Sequence, residues 1–216
     1  MCGIFGVTEK NPGLVRNIMD NCAHRGPDGN SIWSNENLTL GHNLLAITSK
    51  PNDGAQPHIT EKGNVLTYNG EIFNYDFLLK KFQNRFYPKT SCDTELLGWL
   101  LDNFSYEEVI CNLIDSMYAF VFYNKKNNEI IVSRDHAGIK PLYFSEIKNG
   151  IVFSSEIKGL IDNVPNSRKI DRLGLACTCL LGVNVLRQTL FNGIYKILPG
   201  ETIIYDLSSK KIKSSF

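Results

Sequence analysis

The chain opens with Met1-Cys2-Gly3-Ile4-Phe5-Gly6, and the interpretation of the remaining residues depends on this stretch. Removal of Met1 would leave Cys2 with a free α-amino group beside its thiol. A thiolate is the nucleophilic form of cysteine, and an amine with a pKa of about 8 can accept its proton near neutral pH. The apolar run at residues 4–7 predicts a short buried strand. Taken alone, a cysteine at position 2 is in most chains an incidental or buried thiol.

The composition is that of a globular chain with balanced charge. Its 216 residues include 23 basic and 22 acidic side chains, and 43% of the residues are hydrophobic. This balance points to neither nucleic acid nor an anionic membrane surface as a partner, and a small neutral or zwitterionic ligand fits it well. No apolar stretch approaches the roughly 20 residues of a membrane helix, and no signal peptide is visible. We therefore expect one cytoplasmic domain.

The cysteines predict reduced thiols. There are six, at irregular spacing, in a chain long enough to fold without disulfides. Cys177-Thr178-Cys179 is the closest pair, but it lacks the spacing of a zinc or redox motif, which favours two core thiols on an apolar helix. No metal site is implied.

The hydrophobic pattern alternates runs of strands with helix pairs and predicts an α+β fold of stacked antiparallel sheets. Residues 118–123 and 129–133 flank a turn and predict a β-hairpin. Residues 65–68 predict a strand that ends in a turn at Asn69-Gly70. The polar connection at residues 48–63 has the composition of an active-site lid.

Five ordered motifs carry a family resemblance. The chain resembles the glutaminase domain of asparagine synthetases, a class II (N-terminal nucleophile) glutamine amidotransferase domain, over nearly its full length. The motifs are Met1-Cys2-Gly3-Ile4-Phe5-Gly6, Arg25-Gly26-Pro27-Asp28, Tyr68-Asn69-Gly70-Glu71-Ile72-Phe73-Asn74-Tyr75, Cys92-Asp93-Thr94-Glu95 and Arg134-Asp135-His136-Ala137-Gly138-Ile139-Lys140-Pro141-Leu142-Tyr143.

The resemblance implies a four-layer αββα sandwich of two antiparallel sheets, the fold of N-terminal nucleophile hydrolases, with residues 1–216 as one glutaminase domain. Asparagine synthetases continue into an ATP-dependent synthetase domain, and its phosphate loop is absent from this sequence. ATP and Mg are expected only for that domain, so no cofactor is expected here. The implied partners are glutamine and a synthetase domain or subunit that receives ammonia for asparagine formation, and a homodimer is compatible with the resemblance.

The implied mechanism uses Cys2 as the nucleophile that attacks the side-chain amide of glutamine. The resemblance assigns the oxyanion donors to the Asn69 side chain and the Gly70 backbone N–H, although Asn-Gly alone would indicate only a tight turn. It places Asp93 at the substrate α-ammonium, with Glu71 next to it and Arg25 near the nucleophile. Asp93 also fits a helix N-cap, and Arg25 a surface turn.

One position departs from the family pattern. Asparagine synthetases have an arginine that pairs with the substrate α-carboxylate where this chain has Leu44. Another cation, such as Arg25 or Lys50, could replace it, the substrate could be a different amide, or the pocket could be weakened. Neutral histidines such as His42 and His58 are poor substitutes for an arginine. A non-catalytic binding or docking module is therefore the alternative to an enzyme.

The last motif is expected to be structural. Residues 134–143 follow a hairpin strand, and Arg134 and Asp135 predict a turn held by ion pairs and main-chain hydrogen bonds. His136 lies in the same segment, but a catalytic role for it is not expected because the N-terminal amine already supplies a base.

Overall fold

The computed structural model of the chain describes residues 1–47, 53–112 and 115–215. Twelve strands lie in these ranges and form two six-stranded antiparallel sheets. The strands are β1 (Gly3–Val7), β2 (Gly29–Ser34), β3 (Thr39–Leu44), β4 (His58–Ile59), β5 (Val65–Ile72), β6 (Ser116–Asn124), β7 (Glu129–Arg134), β8 (Tyr143–Ile147), β9 (Gly150–Ser154), β10 (Tyr195–Lys196), β11 (Thr202–Asp206) and β12 (Lys211–Ser215). The strand order is β10-β8-β9-β1-β3-β2 in the first sheet and β12-β11-β7-β6-β5-β4 in the second.

Three apolar clusters show that the elements form four layers. Residues of both sheets, among them Ile4 and Val121, make the cluster between the sheets. A second cluster packs helices on the outer face of the second sheet, and a third packs helices on the outer face of the first. The helices are α1 (Pro12–Asn21), α2 (Tyr75–Phe82), α3 (Asp93–Asn103), α4 (Tyr106–Asn112), α5 (Ile157–Ile161) and α6 (Arg172–Leu181). The predicted αββα sandwich is confirmed.

Strand β3 of the first sheet is buried on both of its faces. All six of its residues are buried, because the strand lies between α1 and the interior layer. Gly41 makes this close packing possible. A Cβ at that position would lie 2.5 Å from Met19 Sδ and 2.6 Å from Val15 Cγ1 of α1.

The prediction that the strand at residues 65–68 ends in a turn is wrong. β5 continues to Ile72, and its ladder with β6 runs without a break from Val65 opposite Tyr123 to Ile72 opposite Ser116. This long pairing overrides the local turn preference of Asn-Gly. Asn69 and Gly70 therefore lie inside a strand of the second sheet.

Helix α6 is the apolar helix predicted to carry Cys177 and Cys179, but it does not lie in the core. The Asp171 carboxylate accepts a hydrogen bond of 2.8 Å from the Gly174 N–H and caps the helix. The prediction of two core thiols is wrong, because Cys177 is only half-buried and Cys179 is exposed. Apolar composition suggested a core helix, yet α6 contributes to none of the three apolar clusters.

The predicted hairpin is confirmed as β6 and β7. The five cysteines whose side chains are described are free thiols. Across the described ranges, no helix combines the length and apolarity required to cross a bilayer.

Candidate active site

Cys2 lies at the entrance to the first strand of the first sheet and lines a cavity of about 110 Å³. Its sulfur accepts a contact of 3.4 Å from the Leu45 N–H, which follows β3. Burial raises the pKa of the Cys2 thiol, while the Leu45 N–H and the charges of the amino terminus, Lys140 and Arg25 act in the opposite direction. The sulfur is thus half-buried on a cavity wall and does not point into the apolar interior.

Arg25 holds the main chain of Cys2. Its Nε donates to the Cys2 carbonyl oxygen at 3.0 Å, and its Nη1 donates to Glu156 Oε1 at 3.0 Å. The side chain is only 6% exposed and does not line the cavity. Arg25 is therefore near the nucleophile, as the resemblance implies, but its described contacts are with the protein. Its role in substrate binding stays a prediction.

Asn69 and Gly70 line the same cavity from the second sheet. The Asn69 side chain is 2% exposed, and its amide nitrogen has no hydrogen-bond acceptor among the described residues. A buried donor without an acceptor costs free energy unless a ligand satisfies it. At Gly70 a Cβ would lie 2.4 Å from the Met117 carbonyl oxygen, so only glycine fits. A residue of the cavity wall thus carries a buried amide donor that lacks an acceptor among the described residues.

Asp93 lies on the cavity wall as the first residue of α3. Its Oδ2 accepts hydrogen bonds of 3.0 Å from the Tyr68 hydroxyl and 3.0 Å from the Ile72 N–H. Burial raises the pKa of Asp93, and these two bonds oppose the shift. Burial also raises the pKa of Tyr68 well above 10, so its hydroxyl remains a donor. The helix N-cap is Cys92, so the N-cap interpretation of Asp93 is wrong.

Leu44 occupies the position where asparagine synthetases have an arginine, and it gives the cavity an apolar wall there. Leu44 lines the cavity and is 8% exposed. Within the described ranges, the charged side chains on the wall are Glu71, Asp93 and Lys140, with Glu71 exposed at the rim. Lys50, the other cation considered for the carboxylate, lies outside the described residues.

His42 and His58, the histidines considered as partners of the α-carboxylate, do not supply a positive charge. Burial lowers the pKa of His42 to about 4, so its ring is neutral near pH 7. Burial also lowers the pKa of His58. Neither lines the cavity, and His136 is exposed outside it.

Sequence reasoning missed Gln56, which lines the cavity from the connection predicted to be a lid. Its Oε1 accepts from the Tyr68 N–H at 2.6 Å, and its Nε2 donates to Thr94 Oγ1 at 3.2 Å. It thereby ties β5 to the start of α3. No motif distinguishes this glutamine from other loop residues. Of the predicted lid, residues 48–52 lie outside the described ranges.

The arrangement suits acyl transfer from an amide. A thiol, an unpaired amide donor and a carboxylate share one small cavity, so a carbonyl could meet the first two while a cationic end of the ligand meets the third.

Comparison with solved structures defines the fold class. Glutamine phosphoribosylpyrophosphate amidotransferase from Bacillus subtilis superposes with a TM-score of 0.70 at 20% sequence identity, covering 100% of this chain and 49% of that chain. A second structure, described as the allosteric regulatory enzyme of purine biosynthesis, also has a TM-score of 0.70 and 20% identity, with 100% and 48% covered.

Comparison of sequences defines the family. The family model described as a glutamine amidotransferase domain matches residues 1–215, and the chain belongs to this family. Asparagine synthetase [glutamine-hydrolyzing] 3 of Bacillus subtilis is 30% identical over 216 residues, which cover 95% of this chain and 35% of the relative. Asparagine synthetase B of Escherichia coli is 33% identical over 172 residues, covering 74% and 30%. The chain thus spans about a third of the length of these curated relatives.

Proposed function

We propose that residues 1–216 form one glutaminase domain that hydrolyses glutamine to glutamate and ammonia through Cys2. The observation that carries this proposal is the meeting of the Cys2 thiol and the unpaired Asn69 amide on one cavity, with Asp93 on the same wall. Membership of the glutamine amidotransferase family and the likeness to glutamine-hydrolysing relatives support it and favour an enzyme over a non-catalytic module.

The first step forms a thioester. After Met1 is removed, the Cys2 thiol transfers its proton to the α-amino group, directly or through a water, and the sulfur attacks the amide carbon of glutamine. The protonated amine then gives the proton to the departing nitrogen, which leaves as ammonia when the C–N bond breaks. One residue would supply both the nucleophile and the general base.

The second step reverses these roles with water. Water loses a proton to the α-amino group and adds to the thioester carbon, and the C–S bond breaks to release glutamate and the Cys2 thiol. Both steps place negative charge on the former carbonyl oxygen. The Asn69 amide and the Gly70 N–H would stabilise it, which gives the unsatisfied Asn69 donor a partner in the transition state.

Recognition of the amino acid would rest on Asp93. Its carboxylate is held in place by Tyr68 and Ile72 and would pair with the α-ammonium of glutamine. Glu71, exposed at the rim, adds negative charge at the same opening. The α-carboxylate would meet Leu44 in place of the family arginine, so weak binding is expected.

The ammonia would be used by an ATP-dependent synthetase domain or subunit of the asparagine synthetase type, in the cytoplasm. This proposal rests on the relatives, which are glutamine-hydrolysing asparagine synthetases and match this chain over about a third of their length. ATP and Mg would serve that part, and this domain would need no cofactor.

The test uses protein that has lost Met1. We expect ammonia release from glutamine, and we expect a glutamine-like diazoketone to add once to Cys2 in an intact mass spectrum. The same sample shows whether Met1 is present, so capture and processing are measured together. Capture with Met1 still attached would contradict the proposed base, and no ammonia release by fully processed protein would contradict the proposed reaction.

Leu44→Arg is expected to lower the KM for glutamine by about tenfold or more. A charge-assisted hydrogen bond contributes roughly 1.5–3 kcal/mol, and about 1.4 kcal/mol corresponds to a factor of ten in affinity. Leu44→Met is the control, because it keeps the volume and adds no charge. Steady-state kinetics and calorimetry would measure the change. An unchanged KM in the arginine variant would show that the α-carboxylate does not lie at residue 44.

A further inference from the structure

Lys140 is a buried cation that the proposed mechanism does not use. It is 7% exposed and lines the cavity together with Cys2. Its ammonium forms no ion pair or hydrogen bond within the part of the chain that the structure describes. The stem of this side chain is buried, and its ammonium is on the cavity wall, where it can act on the groups inside.

The main chain around Lys140 is held without help from its side chain. The Lys140 N–H donates to Asp135 Oδ2 at 3.0 Å, and its carbonyl oxygen accepts from Arg134 Nε at 2.7 Å. Asp135 Oδ1 also accepts from the Ile139 N–H at 2.9 Å. The predicted main-chain bonding of this turn is therefore present. A change confined to the Lys140 side chain leaves these contacts in place.

Lys140 and the nucleophile Cys2 line the same small cavity. Burial lowers its pKa, and the negative charges of Cys2 and Glu71 raise it. Asp93 is held by Tyr68 and Ile72 and shares Glu71 with Lys140 as a charged neighbour. A glutamine whose α-ammonium meets Asp93 has its α-carboxylate on the adjacent atom, away from the reacting amide. Binding of that carboxylate by Lys140 is the alternative role, and it predicts a change in KM alone.

We propose that Lys140 is a positioning residue whose unpaired ammonium stabilises the deprotonated form of the Cys2 thiol and α-amine pair. The inference rests on the proposed function, because it assigns the pair to that reaction. The fully protonated pair is a thiol beside an ammonium and has a net charge of about +1. Before reaction it must lose one proton. The result is either a thiol beside a neutral amine or a thiolate beside an ammonium, and both forms have no net charge. A neighbouring cation favours the form with fewer positive charges, whichever atom keeps the second proton.

Arg25 acts on the pair in the same sense as Lys140, but unlike Lys140 it has a carboxylate partner among the described residues. The Arg25 guanidinium is paired with Glu156, which reduces its field at Cys2. Glu71 and Asp135 are negative and act in the opposite sense, and Glu71 is exposed. In the unprocessed chain, burial lowers the pKa of the Met1 amine, Cys2 opposes this, and Arg25 and Lys140 lower it further. Lys140 is therefore the cation without a counter-ion beside the nucleophile, within the described residues.

The experiment measures the pH dependence of Cys2 alkylation by iodoacetamide in protein lacking Met1, together with that of kcat/KM for glutamine. Lys140→Met is expected to raise the acid midpoint of both by about one pH unit, because loss of a neighbouring charge shifts a pKa by roughly 1–3 units and Lys140 lines the same cavity as Cys2. At pH values below the midpoint the activity should fall about tenfold and recover at higher pH. Lys140→Arg should restore the original midpoint.

Lys148→Met is the control, because Lys148 is exposed in the turn between β8 and β9. It should leave both profiles unchanged. An unshifted midpoint in Lys140→Met, an equal loss at every pH, or a change in KM alone would each overturn the proposal. If the parent protein releases no ammonia but its alkylation midpoint still moves in Lys140→Met, the proposed function fails while the electrostatic role of Lys140 stands.

Discussion

Cys2→Ala is expected to abolish ammonia release from glutamine, with a fall of at least about 10⁴-fold in kcat, since removal of a catalytic nucleophile typically costs this much or more. Alanine at position 2 still permits removal of Met1, so the α-amine survives and only the sulfur is lost. Without the sulfur no thioester can form. The remaining amine serves as a general base in this mechanism and does not replace the nucleophile. A coupled glutamate assay on processed protein measures the loss.

Cys179→Ala provides the matched control for this variant. Cys179 is an exposed thiol on α6 and does not line the cavity. Its replacement should leave turnover and the diazoketone adduct unchanged. Calorimetry should show that Cys2→Ala still binds glutamine, because Asp93 and the cavity wall remain. Turnover retained by Cys2→Ala would falsify the thioester mechanism.

Asn69→Ala is expected to lower kcat by about 10²–10³-fold, which corresponds to roughly 2.7–4 kcal/mol of transition-state stabilisation from one oxyanion donor. The KM should change little, because the donor is most valuable when negative charge develops on the oxygen. Alkylation of Cys2 by iodoacetamide forms no oxyanion, so its rate should be preserved. This contrast separates a catalytic loss from a misplaced nucleophile.

Thr67→Val is the control for Asn69→Ala. Thr67 is buried two residues earlier on β5, on the same face of the strand, and its hydroxyl has no partner among the described residues. The substitution removes a polar group from that strand outside the cavity and should leave kcat unchanged. Equal losses in the two variants would mean that strand packing, and not the Asn69 donor, accounts for the effect.

Local patterns predicted several of the strands and helices well, whereas the four-layer arrangement was implied by the family resemblance. The apolar run after Cys2 became β1, the β6 and β7 hairpin was visible from its turn residues, and Asp171 caps α6 as its residue type indicates. The failures occurred where tertiary pairing decides. Asn69-Gly70 has the chemistry of a turn, but eight consecutive pairs with β6 keep it extended.

The candidate site was predictable only as far as its motifs reached. Cys2, Asn69, Gly70 and Asp93 do line one cavity, although they come from separate parts of the chain. Gln56 and Lys140 were not recognised as cavity residues, because each lies in a loop whose path is set by main-chain and side-chain hydrogen bonds rather than by periodicity. The Arg25 side chain donates to the main-chain carbonyl oxygen of Cys2, a contact that no residue pattern specifies.

The nucleophile precedes a strand of the first sheet, whereas the amide donor belongs to the second. The distance between the Cys2 sulfur and the Asn69 amide therefore depends on the separation of the two sheets. Apolar side chains between the sheets, such as Ile4 and Val121, set that separation. A slightly larger or smaller side chain at such a position would change the separation of the sheets. Evolution could thus retune the speed of the reaction from inside the protein, through substitutions that never face the substrate.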